Sequence, residues 1–158
     1  MRALVAFFSA SGVTAALADR LAKAIEAPVY EIRPAVAYTE ADLNWRDKQS
    51  RSTLEMQDKS SRPALADTDA PVSDADVVFV GYPVWWYREP SIVDSFLEAY
   101  DFSGRTIVLF ATSGSSQIGE EAPARAAEIT GAEVRPGKRF PANASADELR
   151  TWAEQYLG

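Results

Sequence analysis

The sequence predicts an α/β protein: a doubly wound, five-stranded parallel sheet of strand order 2-1-3-4-5 with helices on both faces. Three observations predict it. The segments Ala3 to Phe8 (ALVAFF), Val77 to Val80 (VVFV) and Ile107 to Phe110 (IVLF) are apolar almost without interruption, as strands covered on both faces are. Two others, VYEIR from Val29 and AEVRP from Ala132, are short and mix in charges, so they read as edge strands. Helical patterns separate the strands, which makes the connections crossovers and the pairing parallel.

Leu17, Leu21 and Ile25 recur at four-residue spacing after the first strand, and Val93, Phe96, Leu97 and Tyr100 form a stripe after the third; both are helices with one buried face. Pro90 sits where a first helical turn tolerates proline. Pro123 to Ile129 reads as the next helix, with Gly131 as its stop. The last opens on Ser145 with Glu148 at capping-box spacing and carries Leu149, Trp152, Ala153 and Tyr156 on one face. The connection from Pro34 to Asp76 breaks the regularity. Its run YTEADLNWRDKQSRSTLEMQDKSSRP is highly charged, with apolar residues too sparse for a regular amphipathic helix. It reads as an insertion at about 34–76 in a single domain spanning 1–158, and connections this long are usually functional or disordered. Tyr38, Trp45 and Met56 are too large to stand idle in a solvated linker, so the segment is expected to form part of a pocket wall.

Composition narrows the function. The formal net charge of -7 and pI of about 4.6 argue against nucleic acid or an anionic membrane as partner, since both need a basic face. No apolar run reaches membrane-spanning length. The N-terminal run MRALVAFFSASG reads as a first buried strand rather than a signal peptide, so a cytoplasmic location is expected. Cysteine and histidine are absent, which excludes disulfides, thiolate zinc sites, cysteine nucleophiles and Ser-His-Asp chemistry; no metal site is expected. Demanding chemistry would come from carboxylates, lysine, tyrosine or a bound cofactor.

In the predicted topology three loops meet at the carboxyl ends of the strands, where doubly wound sheets bind ligands. The first, Ser9-Ala10-Ser11-Gly12-Val13-Thr14, turns from strand into helix. It carries no lysine or arginine, but hydroxyls at Ser11 and Thr14 and helix-start N–H groups suffice for a phosphate monoester. The same loop could equally be a plain N-cap with incidental serines. The second, GYPVWWYREP from Gly81 to Pro90, places Trp85 and Trp86 side by side after a buried strand. They cannot both face one core, so at least one is expected at the surface, where large aromatics cover a flat ligand or a partner. The third, Thr112-Ser113-Gly114-Ser115-Ser116, offers small side chains and exposed N–H groups.

These residues carry a family resemblance. SASGVT is similar to the hydroxyl-rich FMN-phosphate loop of flavodoxins, and the chain as a whole resembles flavodoxin-like proteins with a long second connection, a PxWW loop and a TSGG-type loop. PVWWYREP also resembles the P-x-x-W-x-x-P loop of flavin-dependent quinone reductases. The resemblance implies FMN as cofactor, with its phosphate on Ser9, Ala10, Ser11, Gly12, Val13 and Thr14. It places the ring between Pro83, Val84, Trp85, Trp86 and Tyr87 on one side and Thr112, Ser113, Gly114 and Ser115 on the other. Val13 stands where that phosphate loop has Asn, and Ser115 and Gln117 interrupt the glycines of the third loop.

Response-regulator receivers share the topology but need acidic residues where this chain has Phe8-Ser9 and Tyr82-Pro83, and no GxxxxGK[ST] or GxGxxG motif is present. The implied function is redox chemistry as an FMN-binding electron-transfer protein. The acidic surface suits a redox protein partner; the tryptophan loop suits an NAD(P)H-dependent FMN reductase with a small quinone-like acceptor. A flavin-free interaction module, with the tryptophans as its binding patch, is the remaining reading. No catalytic residue is singled out.

Overall fold

A computed structural model describes residues 1–113 and 118–158. Five parallel strands, β1 (Ala3–Phe7), β2 (Val29–Glu31), β3 (Val77–Pro83), β4 (Thr106–Thr112) and β5 (Glu133–Phe140), form one sheet in the order β2-β1-β3-β4-β5. The helices are α1 (Val13–Ala24), α2 (Arg51–Gln57), α3 (Ser91–Ala99), α4 (Ala122–Thr130) and α5 (Ala146–Glu154). The doubly wound architecture and strand order are those the sequence predicts.

The apolar runs are explained by two cores, one on each face of the sheet. Leu4, Ala6 and Phe8 join Val78, Val80, Tyr82, Ile107 and Leu109 under Ile92, Val93 and Phe96 of α3. The alternate residues Val5, Phe7, Val77, Phe79, Val108 and Phe110 pack on Leu17 and Leu21 of α1 and on Leu149 and Trp152 of α5. Each residue of the apolar runs in β1, β3 and β4 thus has a core whichever way it points, which removes the polar half of the usual alternation. Ser145 caps α5, its hydroxyl accepting the Glu148 N–H at 3.1 Å, and Gly131 ends α4 at φ 70.

Two segments depart from the sequence expectation. The fifth strand, expected to fade at Pro136, continues to Phe140. The register slips between Val108 and Phe110, and Gly137 adopts φ 69 at the slip. A Cβ there would lie 1.5 Å from the Leu109 carbonyl oxygen, so the close approach requires glycine. The β2–β3 connection, read as lacking a regular helix, contains α2. Its buried positions are Ser52, Thr53 and Met56, so most of its inward face is polar and gives no apolar period. Ser50 caps it, and Arg51 organises what surrounds it: the guanidinium lies 3.9 Å over the Tyr38 ring, donates to the Val36 carbonyl at 2.7 Å and pairs with Glu55 at 3.0 Å.

Candidate functional site

The loop between β1 and α1 turns sharply at Gly12, whose φ of 93 only glycine adopts freely. The Gly12 N–H donates to Ser9 Oγ at 3.1 Å, which folds the loop back on itself. Among the described residues no side chain caps α1, and its first turn carries no acidic residue. The first-turn N–H groups therefore meet the end of the sheet with their dipole unopposed. Ser11, Gly12 and Val13 are exposed, whereas Thr14 is buried and shares a hydrogen bond of 2.7 Å with Thr112 at the end of β4. The first and third loops are thus tied together at their bases.

β3 ends at Pro83, and the chain makes a two-residue hairpin. Trp85 N–H donates to the Arg88 carbonyl and Arg88 N–H to the Trp85 carbonyl, both at 3.0 Å. The two residues at the tip, Trp86 and Tyr87, have φ 47 and 64. Two successive positive values describe a type I′ turn, which ordinarily takes Asn-Gly. Bulky aromatics in that conformation are strained by roughly 1–3 kcal/mol each, and such strain gathers at functional sites. The turn lifts both rings outward: Trp86 is 41% and Tyr87 82% exposed. Trp85 points the other way and is half-buried in an aromatic cluster, edge-on to Phe8 at 5.6 Å and to Tyr38 at 5.5 Å. The adjacent tryptophans therefore divide, one inward and one at the surface.

The third loop is described as far as Ser113, whose carbonyl accepts from Arg139 at 3.0 Å; Gly114 and Ser115 lie outside the described residues. Of the other expected residues, the structure brings Ser9 to Thr14, Pro83 to Tyr87, Thr112 and Ser113 to one end of the sheet. Two clefts flank them. One of about 490 Å³ lies beside Phe8, Ser9 and Ala10, with Pro34, Ala35, Ala37, Tyr38 and Ala66 of the β2–β3 connection as its other wall. The other, about 700 Å³, runs between Trp86, Tyr87 and Arg88 and the approach to α4 at Gly119, Glu120 and Glu121, with Lys59 and Arg125 at its sides.

Sequence reasoning passed over the charged residues behind the turn. Arg88, Glu89 and Asp94 are all buried. Arg88 Nη2 lies 3.1 Å from Asp94 Oδ2, and Arg125 grips Glu89 with Nε at 2.6 Å and Nη2 at 3.1 Å. Burial and the facing Glu89 push the Asp94 carboxyl up to about 8. Burial works the same way on Glu89 and is the largest influence there, but the Arg125 fork, a hydrogen bond with Asp94 and the charges of Arg125 and Arg88 together outweigh it and hold Glu89 below its ordinary value. The signal was present: an aspartate inside the apolar run SIVDSFL of α3 has to be buried with a partner.

No helix among the described residues is long and apolar enough to cross a membrane, and no cluster of metal-ligating side chains occurs among them. The flavodoxin family profile matches residues 2–156. A proposed flavoprotein from Bacteroides eggerthii is 37% identical over 99% of this chain and 98% of its own, with a TM-score of 0.91. Another from Bacteroides uniformis is 41% identical over 97% of each chain, at 0.89. A Lactobacillus acidophilus flavoprotein solved in complex with FMN shares the fold at 18% identity, covering 96% of this chain and 98% of that one at 0.67. No curated protein matches significantly. With the profile covering all but the chain's outermost residues on a sheet of matching strand order, the chain belongs to the flavodoxin family.

Proposed function

We propose that this protein binds FMN and serves in electron transfer. The observation that carries the reading is the pairing of an uncapped, acid-free helix start at α1 with the outward aromatic turn at Trp86-Tyr87, side by side at the carboxyl ends of β1 and β3. The first suits a phosphate monoester with no cation from the loop; the second suits a flat ring. Ser9, Ala10, Ser11, Gly12, Val13 and Thr14 would hold the phosphate, with Ser11 the exposed hydroxyl donor. Pro83, Val84, Trp86 and Tyr87 would face the ring opposite Thr112 and Ser113, with Trp85 supporting the turn from beneath. Bound there, FMN supplies the redox chemistry. The chain's part is to fix the phosphate, limit water at the ring and offer an acidic surface, net -7, to a basic redox protein.

The cleft of about 700 Å³ beside Trp86 and Tyr87 supports a second reading, an NAD(P)H-dependent reductase of small quinone-like acceptors, because a small molecule could reach the ring edge there. Anaerobic reductive titration followed by an NAD(P)H oxidation assay with quinones separates the two. Reduction in two resolved stages without turnover supports the carrier. A single stage with sustained turnover transfers the assignment to the reductase.

A further inference from the structure

Beneath the aromatic turn lie Arg88 and Glu89, which follow it directly, Asp94 on α3, Arg125 on α4 and Arg62 from the β2–β3 connection. The two central arginine–carboxylate pairs differ. Arg125 holds Glu89 by a side-on fork, Nε to Oε2 at 2.6 Å and Nη2 to Oε1 at 3.1 Å. Arg88 makes one such contact to Asp94, Nη2 to Oδ2 at 3.1 Å. The two atoms that would complete the same fork, Arg88 Nε and Asp94 Oδ1, are both buried without a hydrogen-bond partner among the described residues. Buried polar atoms are seldom left so, and a complementary pair on adjoining groups needs a cause.

The geometry points to Asp94 as the positioning residue of the aromatic turn: protonated, it holds Arg88 by one contact, and ionised it closes the fork on both Arg88 nitrogens and draws the turn towards α3. Arg88 is the residue whose backbone pairs with Trp85 across the turn, so a shift of its side chain is passed to Trp86 and Tyr87. Its other anchor, Nη1 to the Met56 carbonyl, is long at 3.4 Å and gives way readily. A neutral carboxyl attracts a guanidinium less than a carboxylate does, which accounts for the single contact.

Asp94 faces Arg88 and Glu89 from the turn segment, Arg125 at 3.9 Å from α4 and Arg62 at 4.0 Å from the connection. Tyr82 of β3 lies near both carboxyls; burial first, then their charge, keeps its phenol neutral well past the usual range. Glu98 and Glu121 stand one step further out, on Arg62 and Arg125. Because guanidiniums surround Asp94, its ionisation is tolerated in the fold. Burial and Glu89 hold its carboxyl at about 8, so the change falls in an accessible range. That the movement is felt at a ring rests on the FMN reading above; the movement itself does not.

The test is fluorine NMR of the full chain labelled with 5-fluorotryptophan, without and with FMN, from about pH 6 to about 9.5, a span on both sides of the titration and clear of ordinary carboxylates. Loss of one resonance in Trp86→Phe assigns Trp86. Its resonance should move with a midpoint near 8, while that of Trp152, in the core on the other face of the sheet, stays fixed. In Asp94→Asn the step should vanish and Trp86 remain at its low-pH position; Asp94→Glu should restore a step with a displaced midpoint. A fixed Trp86 resonance in the parent protein, or an unchanged step in Asp94→Asn, overturns the proposal. If Asp94→Asn does not fold, Arg88→Lys, whose single nitrogen cannot form a fork, must lose the step, and keeping it overturns the proposal equally. Because the step is read without FMN as well as with it, failure of the movement is distinguishable from failure of flavin binding.

Discussion

Thr14 Oγ1 and Thr112 Oγ1 lie 2.7 Å apart, both residues buried, joining the start of α1 to the end of β4. Thr14→Val or Thr112→Val leaves one buried hydroxyl unpartnered and should cost about 1–2 kcal/mol. The double variant should cost less than the two together, since no orphan remains. Denaturant melts of the two single variants and the double variant check this; strict additivity would mean the hydroxyls do not act as a pair.

The strained tip gives a prediction of opposite sign. Tyr87 is 82% exposed at φ 64, so Tyr87→Gly gives up little burial and relieves the left-handed conformation. The ligand-free protein should gain about 1 kcal/mol, after allowing for the entropy glycine adds to the unfolded chain. FMN affinity should fall, because the turn loses an aromatic wall and its fixed shape. A loss of stability would show that the tyrosine is held by contacts stronger than its strain.

The two tryptophans should separate stability from binding. Trp85→Ala removes a half-buried ring from the cluster with Phe8 and Tyr38 and should cost on the order of 2–3 kcal/mol, below the range for fully buried rings. Trp86→Ala should leave the melting temperature nearly unchanged and weaken FMN. Equal effects of both on stability would contradict the inward and outward assignment.

Most of the architecture was legible because β1, β3 and β4 are central strands: covered on both faces, they read as apolar runs whatever the neighbouring loops do. The capping signals at Ser145 and Gly131 were equally local. What could not be read depends on distant parts of the chain. α2 buries Ser52 and Thr53, and β5 passes Pro136 by a bulge that Gly137 allows against Leu109. At the site, the sequence shows hydroxyls and aromatics in three loops and that at least one of the adjacent tryptophans faces outward; it does not show that Thr14 turns to Thr112, nor that Trp86 rather than Trp85 is the outward one. The ion cluster behind the turn escaped because, although Asp94 in its apolar run called for a buried partner, tertiary packing alone brings Arg88 and Glu89 to Asp94 and Arg125.

Asp94 also predicts a pH dependence of stability. Its folded-state carboxyl is raised to about 8, by burial and by Glu89. The stability it contributes is therefore full below the ordinary carboxylate range and is lost as the pH rises through 8. Relative to Asp94→Asn, the parent protein should lose melting temperature steadily between about pH 5 and about pH 9. A difference between the two that is constant across that interval would show that Asp94 is ionised throughout.

Arg51 organises the β2–β3 connection through Tyr38, Glu55 and the Val36 carbonyl. Arg51→Ala should raise amide exchange across α2 and around Tyr38 while leaving the central strands protected, since the connection opens locally before the sheet does. Uniform acceleration over the whole chain would mean that the segment and the sheet unfold as one unit.

The central claim is that the uncapped start of α1 holds a phosphate. Calorimetric titration of the ligand-free protein with FMN and with riboflavin, which differ only by that group, tests it most directly. Two charge-assisted hydrogen bonds at about 1.5 kcal/mol each correspond to a preference for FMN of roughly a hundredfold, and Ser11→Ala should narrow it by about tenfold without changing riboflavin affinity. Equal affinity for the two ligands in the parent protein would contradict the account.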